Sequence, residues 1–114
     1  MRVVGVVTVA RSDYGILRPL ISRIVQDGDL DLHLLVSGMH LSPEHGMTVR
    51  DIEEDGFLIA DRFPMPLVQD TPEGIGQAIA SGIAGFAGSF NRARPDIMVV
   101  LGDRYEMLAA VIAA

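Results

Sequence analysis

The chain contains no cysteine. Disulfides, thiolate metal sites and cysteine nucleophiles are excluded, and the absence fits a reducing compartment. No apolar run is long enough to span a bilayer. Basic residues are few: 9 Lys and Arg stand against 15 Asp and Glu, a formal net charge of -6. That balance argues against general nucleic-acid binding and against adhesion to an anionic membrane; any bound phosphate must be held by a few placed donors. A signal-peptide cleavage region is also missing, because Met1-Arg2-Val3-Val4 runs straight into a strand pattern. The expectation is a soluble cytoplasmic protein. The usual helix stop signals are absent after Leu108-Ala-Ala-Val-Ile-Ala-Ala114, which reads as an apolar helix that simply ends. The chain therefore reads as the front part of a longer protein.

What is present is apolar and regularly punctuated. The 114 residues suffice for one compact domain of modest core. Hydrophobic residues make up 49%, with a mean hydropathy of +0.34, which suggests a surface meant to be covered. Val3 to Val9 is a nearly continuous β-branched run, the pattern of a central parallel strand buried on both faces. Ala10 to Gly15 forms the turn after it, and Ser12 or Asp13 could cap the next helix. Ile16, Leu17, Leu20, Ile21, Ile24 and Val25 recur at helical spacing, with Pro19 expected in about the first turn. Leu30 to Ser37 alternates as a less covered second strand, with His33 on an exposed face.

Gly38 to Gly46 is a loop rich in turn formers. A short helix follows from about Thr48 to Glu54, with Val49 and Ile52 inward. Phe57 to Phe63 reads as a peripheral strand, ended by Pro64 and Pro66. Thr71-Pro72-Glu73 opens a helix that should run to about Arg92, and its glycines would admit a close backbone neighbour on the sheet. Asp96 to Glu106 supplies a last buried strand, Ile97 to Leu101, a turn at Gly102, and a final helix. The order β-α-β-α-β-α-β-α gives an α/β fold with a doubly wound, Rossmann-like parallel sheet.

In such a sheet all strand C-termini share one edge, where ligands bind. Arg11 to Gly15, Gly38 to Gly46 and Gly102 to Arg104 meet there, bringing arginines, two histidines, hydroxyls and Asp103 together. Asp103 can be a ligand-facing residue or a helix cap, since Asp103-x-x-Glu106 resembles a capping box. Arg11 can bind an anion or bridge to Asp13 or Asp103. Arg104 at a helix start opposes the dipole, so an anion-binding reason for it is attractive. His40 and His45 lack an evident third partner for a metal, and no metal or redox cofactor is indicated. Gly74-Ile-Gly-Gln-Ala-Ile79 does not follow a strand, and the first β-α turn lacks G-x-G-x-x-G, so an NAD-type cofactor is not expected.

Three segments follow in order: Thr8-Val-Ala-Arg-Ser-Asp-Tyr-Gly-Ile-Leu17, Ser37-Gly-Met-His-Leu-Ser-Pro-Glu-His-Gly46 and Arg94-Pro-Asp-Ile-Met-Val-Val-Leu-Gly-Asp-Arg-Tyr-Glu106. Together they resemble the hydrolysing UDP-N-acetylglucosamine 2-epimerases of sialic acid biosynthesis. The resemblance implies the N-terminal domain of a glycosyltransferase B-type fold, with a nucleotide sugar bound between two Rossmann-like domains. It implies that UDP-N-acetylglucosamine, or a related acetamido sugar nucleotide, loses its C2 proton and then UDP. Water then adds to the glycal to give the free 2-epimer. It implies catalytic roles near the sugar for Asp103 and His40, nucleotide contacts for Arg11 and Arg104, and a homo-oligomer at full length. His45 stands where the family pattern leads one to expect an aromatic residue, which marks a different sugar preference or a divergent subgroup. Two other readings remain: a non-catalytic nucleotide-sugar binding or regulatory domain, and a flavodoxin-like interaction module.

Overall fold

A computed structural model describes residues 2–41, 46–65, 70–102 and 105–114. Chain order is β1 (Arg2–Thr8), α1 (Arg11–Gln26), β2 (Leu30–Val36), a 3-10 turn (Gly38–Leu41), α2 (Val49–Glu54), β3 (Ile59–Arg62), α3 (Pro72–Ala93), β4 (Ile97–Val99) and α4 (Tyr105–Ala113). The strands form one sheet in the order β3-β2-β1-β4. Every pairing is parallel, with Val6 beside Leu34 on one side and Val99 on the other.

Side-chain alternation along the strands builds two cores. Val4 and Val6 of β1 and Leu34 and Val36 of β2 point to one face, where Tyr14, Leu17, Ile21 and Ile24 of α1 and Val49 and Ile52 of α2 cover them. Val7, Val9 and Leu35 point to the other face and meet Phe86 of α3 and Met107, Ala109 and Ala110 of α4. Helices thus lie on both faces, as the doubly wound reading requires. The chain moves outward from β1 through β2 to β3, and then α3 carries it back to β4 on the far side of β1. The winding reverses between β1 and β4, which is where open α/β sheets leave a crevice at their strand C-termini.

Several sequence expectations need correction. Pro19 sits in the middle of α1, because the helix already begins at Arg11. A helix tolerates this only by giving up one backbone bond, to the Gly15 carbonyl. Ile16, Leu20 and Val25 belong to the apolar periodicity but lie exposed. The buried stripe of α1 runs instead through Tyr14, Leu17, Ile21 and Ile24. Among the described strands β4 pairs with β1 alone, and Ile97 is 48% exposed. It is joined to β1 at its start, where the Asp96 carboxylate and backbone N–H both bond to Val3 at 2.8 Å. His33 is half-buried, with Nε2 3.2 Å from Ser89 Oγ on α3.

The start of α3 follows its local signals. Thr71 Oγ1 accepts from Gly74 N–H at 3.0 Å, and Pro72 needs no acceptor at the first helical position. What approaches the α3 glycines is side chains rather than backbone. A methyl at Gly82 would overlap Met65, and one at Gly85 would overlap Phe63. Phe63 then meets Phe86 edge-on at 4.7 Å between ring centroids, a favoured aromatic geometry. No helix among the described residues is long and apolar enough to cross a membrane.

Candidate functional site

The C-terminal sheet edge is held by backbone bonds between loops distant in sequence. Ser37 N–H donates to the Thr8 carbonyl at 3.2 Å, and His40 N–H donates to the Val9 carbonyl at 3.3 Å. Ser37 Oγ donates to the Phe63 carbonyl at 2.7 Å. The turn after β2 is thereby fastened to the end of β1 on one side and to the segment after β3 on the other.

Gly38 makes that turn feasible. Its φ is +63°, and an added Cβ would lie 3.0 Å from both the Val9 carbonyl oxygen and Val9 Cβ. A side chain there would meet a left-handed backbone penalty and a wall it cannot push aside. Gly38→Ala is expected to lower stability by about 2 kcal/mol, read from the denaturant midpoint of the full-length protein. An unchanged midpoint would mean that the turn relaxes at no cost. Glu106, at the start of α4, packs beside Gly38 and is 1% exposed.

The first loop carries Arg11 as the first residue of α1, with its side chain 80% exposed. Its Nε lies 3.8 Å from Asp51 Oδ2 on α2, not beside Asp13. An ion pair this long and open to water holds the guanidinium weakly, which leaves Arg11 able to turn toward an anion. The carboxylate of Asp13 points inward at the third helical position. It accepts from Ala10 N–H at 3.0 Å and Val9 N–H at 3.2 Å. Asp13 therefore serves the helix start, but from inside the first turn rather than from the cap position; Ser12 has no such role.

His40 does not open onto this edge. It is fully buried, with Nε2 2.8 Å from Thr8 Oγ1 and Nδ1 2.8 Å from Thr48 Oγ1. Tyr14 stands edge-on to its ring at 6.1 Å. Burial pushes the imidazole down to about 4, with the Asp51 charge pulling weakly the other way. At neutral pH the ring is uncharged. Both nitrogens are spent on protein hydroxyls, so the ring braces the loop. Tyr14 is held in turn by Asp55, whose carboxylate accepts from the phenol at 2.5 Å and pairs with Arg18 at 3.1 Å. Burial, then this bond and the Asp55 charge, raise the phenol far above its ordinary value.

Asp103, Arg104 and His45 lie outside the described residues, as do the Ser42 to Glu44 part of the second loop and Pro66. The flanks of the third loop are placed. β4 ends at Val99 next to β1, Gly102 has a φ of +98°, and α4 begins at Tyr105. That handover falls at the reversal of winding, beside the turn that carries Arg11. Among the described residues no group of three or more His, Asp or Glu side chains gathers as metal ligands would.

The polar residues missed by sequence reading are Thr8, Thr48 and the inward carboxylate of Asp13. Thr8 offered one signal, since it interrupts the apolar run of β1 at its C-terminal end.

A family model described as UDP-N-acetylglucosamine 2-epimerase matches residues 22–114. The chain belongs to that family. It is 42% identical over 108 residues to the UDP-N,N'-diacetylbacillosamine 2-epimerase (hydrolyzing) of Legionella pneumophila, covering 95% of this chain and 29% of that protein. It is 36% identical over 108 residues to the GDP/UDP-N,N'-diacetylbacillosamine 2-epimerase (hydrolyzing) of Campylobacter jejuni, covering 95% of this chain and 28% of that one. The fold matches that of a UDP-GlcNAc 2-epimerase from Neisseria meningitidis bound to UDP-GlcNAc. Its TM-score is 0.71 at 18% identity, over 99% of this chain and 29% of that one. The chain thus spans less than a third of the length of these relatives.

Proposed function

We propose that the protein carrying this chain acts in the cytoplasm as a hydrolysing nucleotide-sugar 2-epimerase, with this chain as part of its N-terminal Rossmann-like domain in a glycosyltransferase B-type fold. Family membership across residues 22–114 carries the reading. The substrate is UDP-N-acetylglucosamine or a related nucleotide-linked acetamido sugar. The Legionella and Campylobacter relatives are both named for a diacetylbacillosamine nucleotide, which favours a diacetamido sugar for this chain too.

The chemistry needs a base for the C2 proton and cations for the departing diphosphate. As the C2–H bond breaks, the C1=C2 double bond forms and the C1–O bond breaks, releasing UDP. Water then delivers its oxygen to C1 and a proton to C2, which yields the free 2-epimer. Arg11, exposed at the switch-point edge and only loosely paired, suits the diphosphate. Arg104 is its proposed partner, and Asp103 is the proposed acid/base or orienting group near the sugar. His40 contributes as a positioning residue, because its ring is enclosed. The sugar site needs groups from the rest of the molecule, and the full-length protein is proposed to be a homo-oligomer.

The test is to incubate the full-length protein with UDP-N-acetylglucosamine and with UDP-N,N'-diacetylbacillosamine and follow UDP release. Release is expected with at least one, faster with the diacetamido sugar. Tight binding without release would favour the non-catalytic alternative, and neither binding nor release would remove the nucleotide-sugar reading.

A further inference from the structure

A chain of hydrogen bonds runs under the sheet edge through four side chains from four places in the fold. Asp13 lies on α1, Thr8 ends β1, His40 lies in the turn after β2, and Thr48 precedes α2. The Thr8 hydroxyl donates to Asp13 Oδ1. His40 Nε2 meets the same hydroxyl oxygen at 2.8 Å, and Nδ1 meets Thr48 Oγ1 at 2.8 Å. Thr8, Asp13 and His40 are buried and Thr48 is half-buried.

The direction of each bond follows from the carboxylate. An ionised Asp can only accept, so Thr8 must spend its one hydroxyl proton on Asp13. Its oxygen can then only accept from His40, which places the ring proton on Nε2. A neutral imidazole with Nε2–H has a bare Nδ1, so Thr48 donates to it. The backbone bonds of Asp13 to Val9 and Ala10 fix the carboxylate and leave the chain one orientation.

We infer that Asp13 is a positioning residue that, through the Thr8 hydroxyl, locks His40 in its Nε2–H tautomer and clamps the turn after β2 against the β1–α1 turn beside the site. The clamp joins the loop that bears Arg11 to the loop after β2. Its effect on catalysis rests on the epimerase reading, while its hydrogen-bond order does not.

Asp13→Asn gives a directional test. The asparagine oxygen must face the Val9 and Ala10 N–H groups, so its NH2 group faces Thr8. Thr8 then accepts from Asn and donates to His40 Nε2, and the ring proton moves to Nδ1 and bonds to Thr48. In the full-length protein, nitrogen NMR shifts of His40 should show a protonated Nε2 in the wild type and a protonated Nδ1 in Asp13→Asn. A protonated Nδ1 in the wild type, or an unchanged tautomer in Asp13→Asn, overturns the assignment.

For catalysis, Thr8→Val should lower kcat for UDP release by at least about tenfold, since releasing the clamp lets the two turns beside the site shift out of their working positions. Thr8→Ser keeps the hydroxyl and should recover most of the loss. Wild-type turnover in Thr8→Val, or no recovery in Thr8→Ser, overturns the positioning role. If Thr8→Val or Asp13→Asn does not fold, the wild-type tautomer decides the bond order and Thr8→Ser the role; a kcat in Thr8→Ser reduced more than about tenfold would overturn the latter. If the wild type releases UDP from no acetamido sugar, the epimerase reading has failed, and the two tautomers still decide whether Asp13 sets the ring.

Discussion

Replacing Asp103 by Asn is expected to lower turnover by about 10²- to 10⁴-fold, the range over which a positioned proton-transfer group acts. Asn caps a helix about as well as Asp, so a capping role predicts little change in activity or stability. The substitution therefore separates the two roles that the local sequence leaves open. Steady-state UDP release and a denaturation curve on the same full-length preparation suffice. A fall in kcat with an unchanged midpoint assigns Asp103 to the chemistry. Unchanged turnover reduces it to a cap at the start of α4. The first outcome is expected because the handover from β4 to α4, between Gly102 and Tyr105, falls beside β1 at the reversal of winding.

The second large effect is on stability. An unfolded histidine titrates near about 6.5, whereas His40 in the folded chain is held down to about 4 by burial. Its folded value is depressed, so the sign follows directly. Between those values the unfolded chain binds a proton that the folded chain refuses, and acid favours unfolding. Stability should be flat above about pH 6.5, fall as pH drops toward 4, and level off for this group below that; the full loss is on the order of 3 kcal/mol. His33 is also lowered by burial and adds loss of the same sign. Denaturant midpoints measured from pH 7 to 4 should show a steeper decline for the wild type than for His40→Gln, which cannot titrate. Identical slopes would mean that the ring is not enclosed as described.

Much of the fold was legible because local rules dictate it. The unbroken β-branched run of β1 marks a strand covered on both faces, and Thr71-Pro72-Glu73 fixes the start of α3 within a residue. Alternating strands and helices with right-handed crossovers then leave few arrangements. Features set by distant partners were not legible. The apolar stripe of α1 is wide enough to offer two faces, and only packing decides that Leu17 and Ile21 turn inward while Ile16 turns out. The topology brings Arg11 and the turn that bears His40 to one sheet edge, but the sequence does not give the orientation of either side chain. His40 looked like a site histidine, and its ring turns inward because Thr8 and Thr48, at separations of 32 and 8 residues, offer both nitrogens partners. A separation of 32 residues leaves no local pattern to read.

The most direct measurement is incubation of the full-length protein with UDP-N-acetylglucosamine and with UDP-N,N'-diacetylbacillosamine in deuterated water, followed by proton NMR. Elimination through a glycal predicts UDP and a free 2-epimer that carries deuterium at C2, because the proton returned there comes from solvent. Release of UDP with the original C2 proton and configuration retained would contradict the account, and so would the absence of UDP release from every acetamido sugar nucleotide offered.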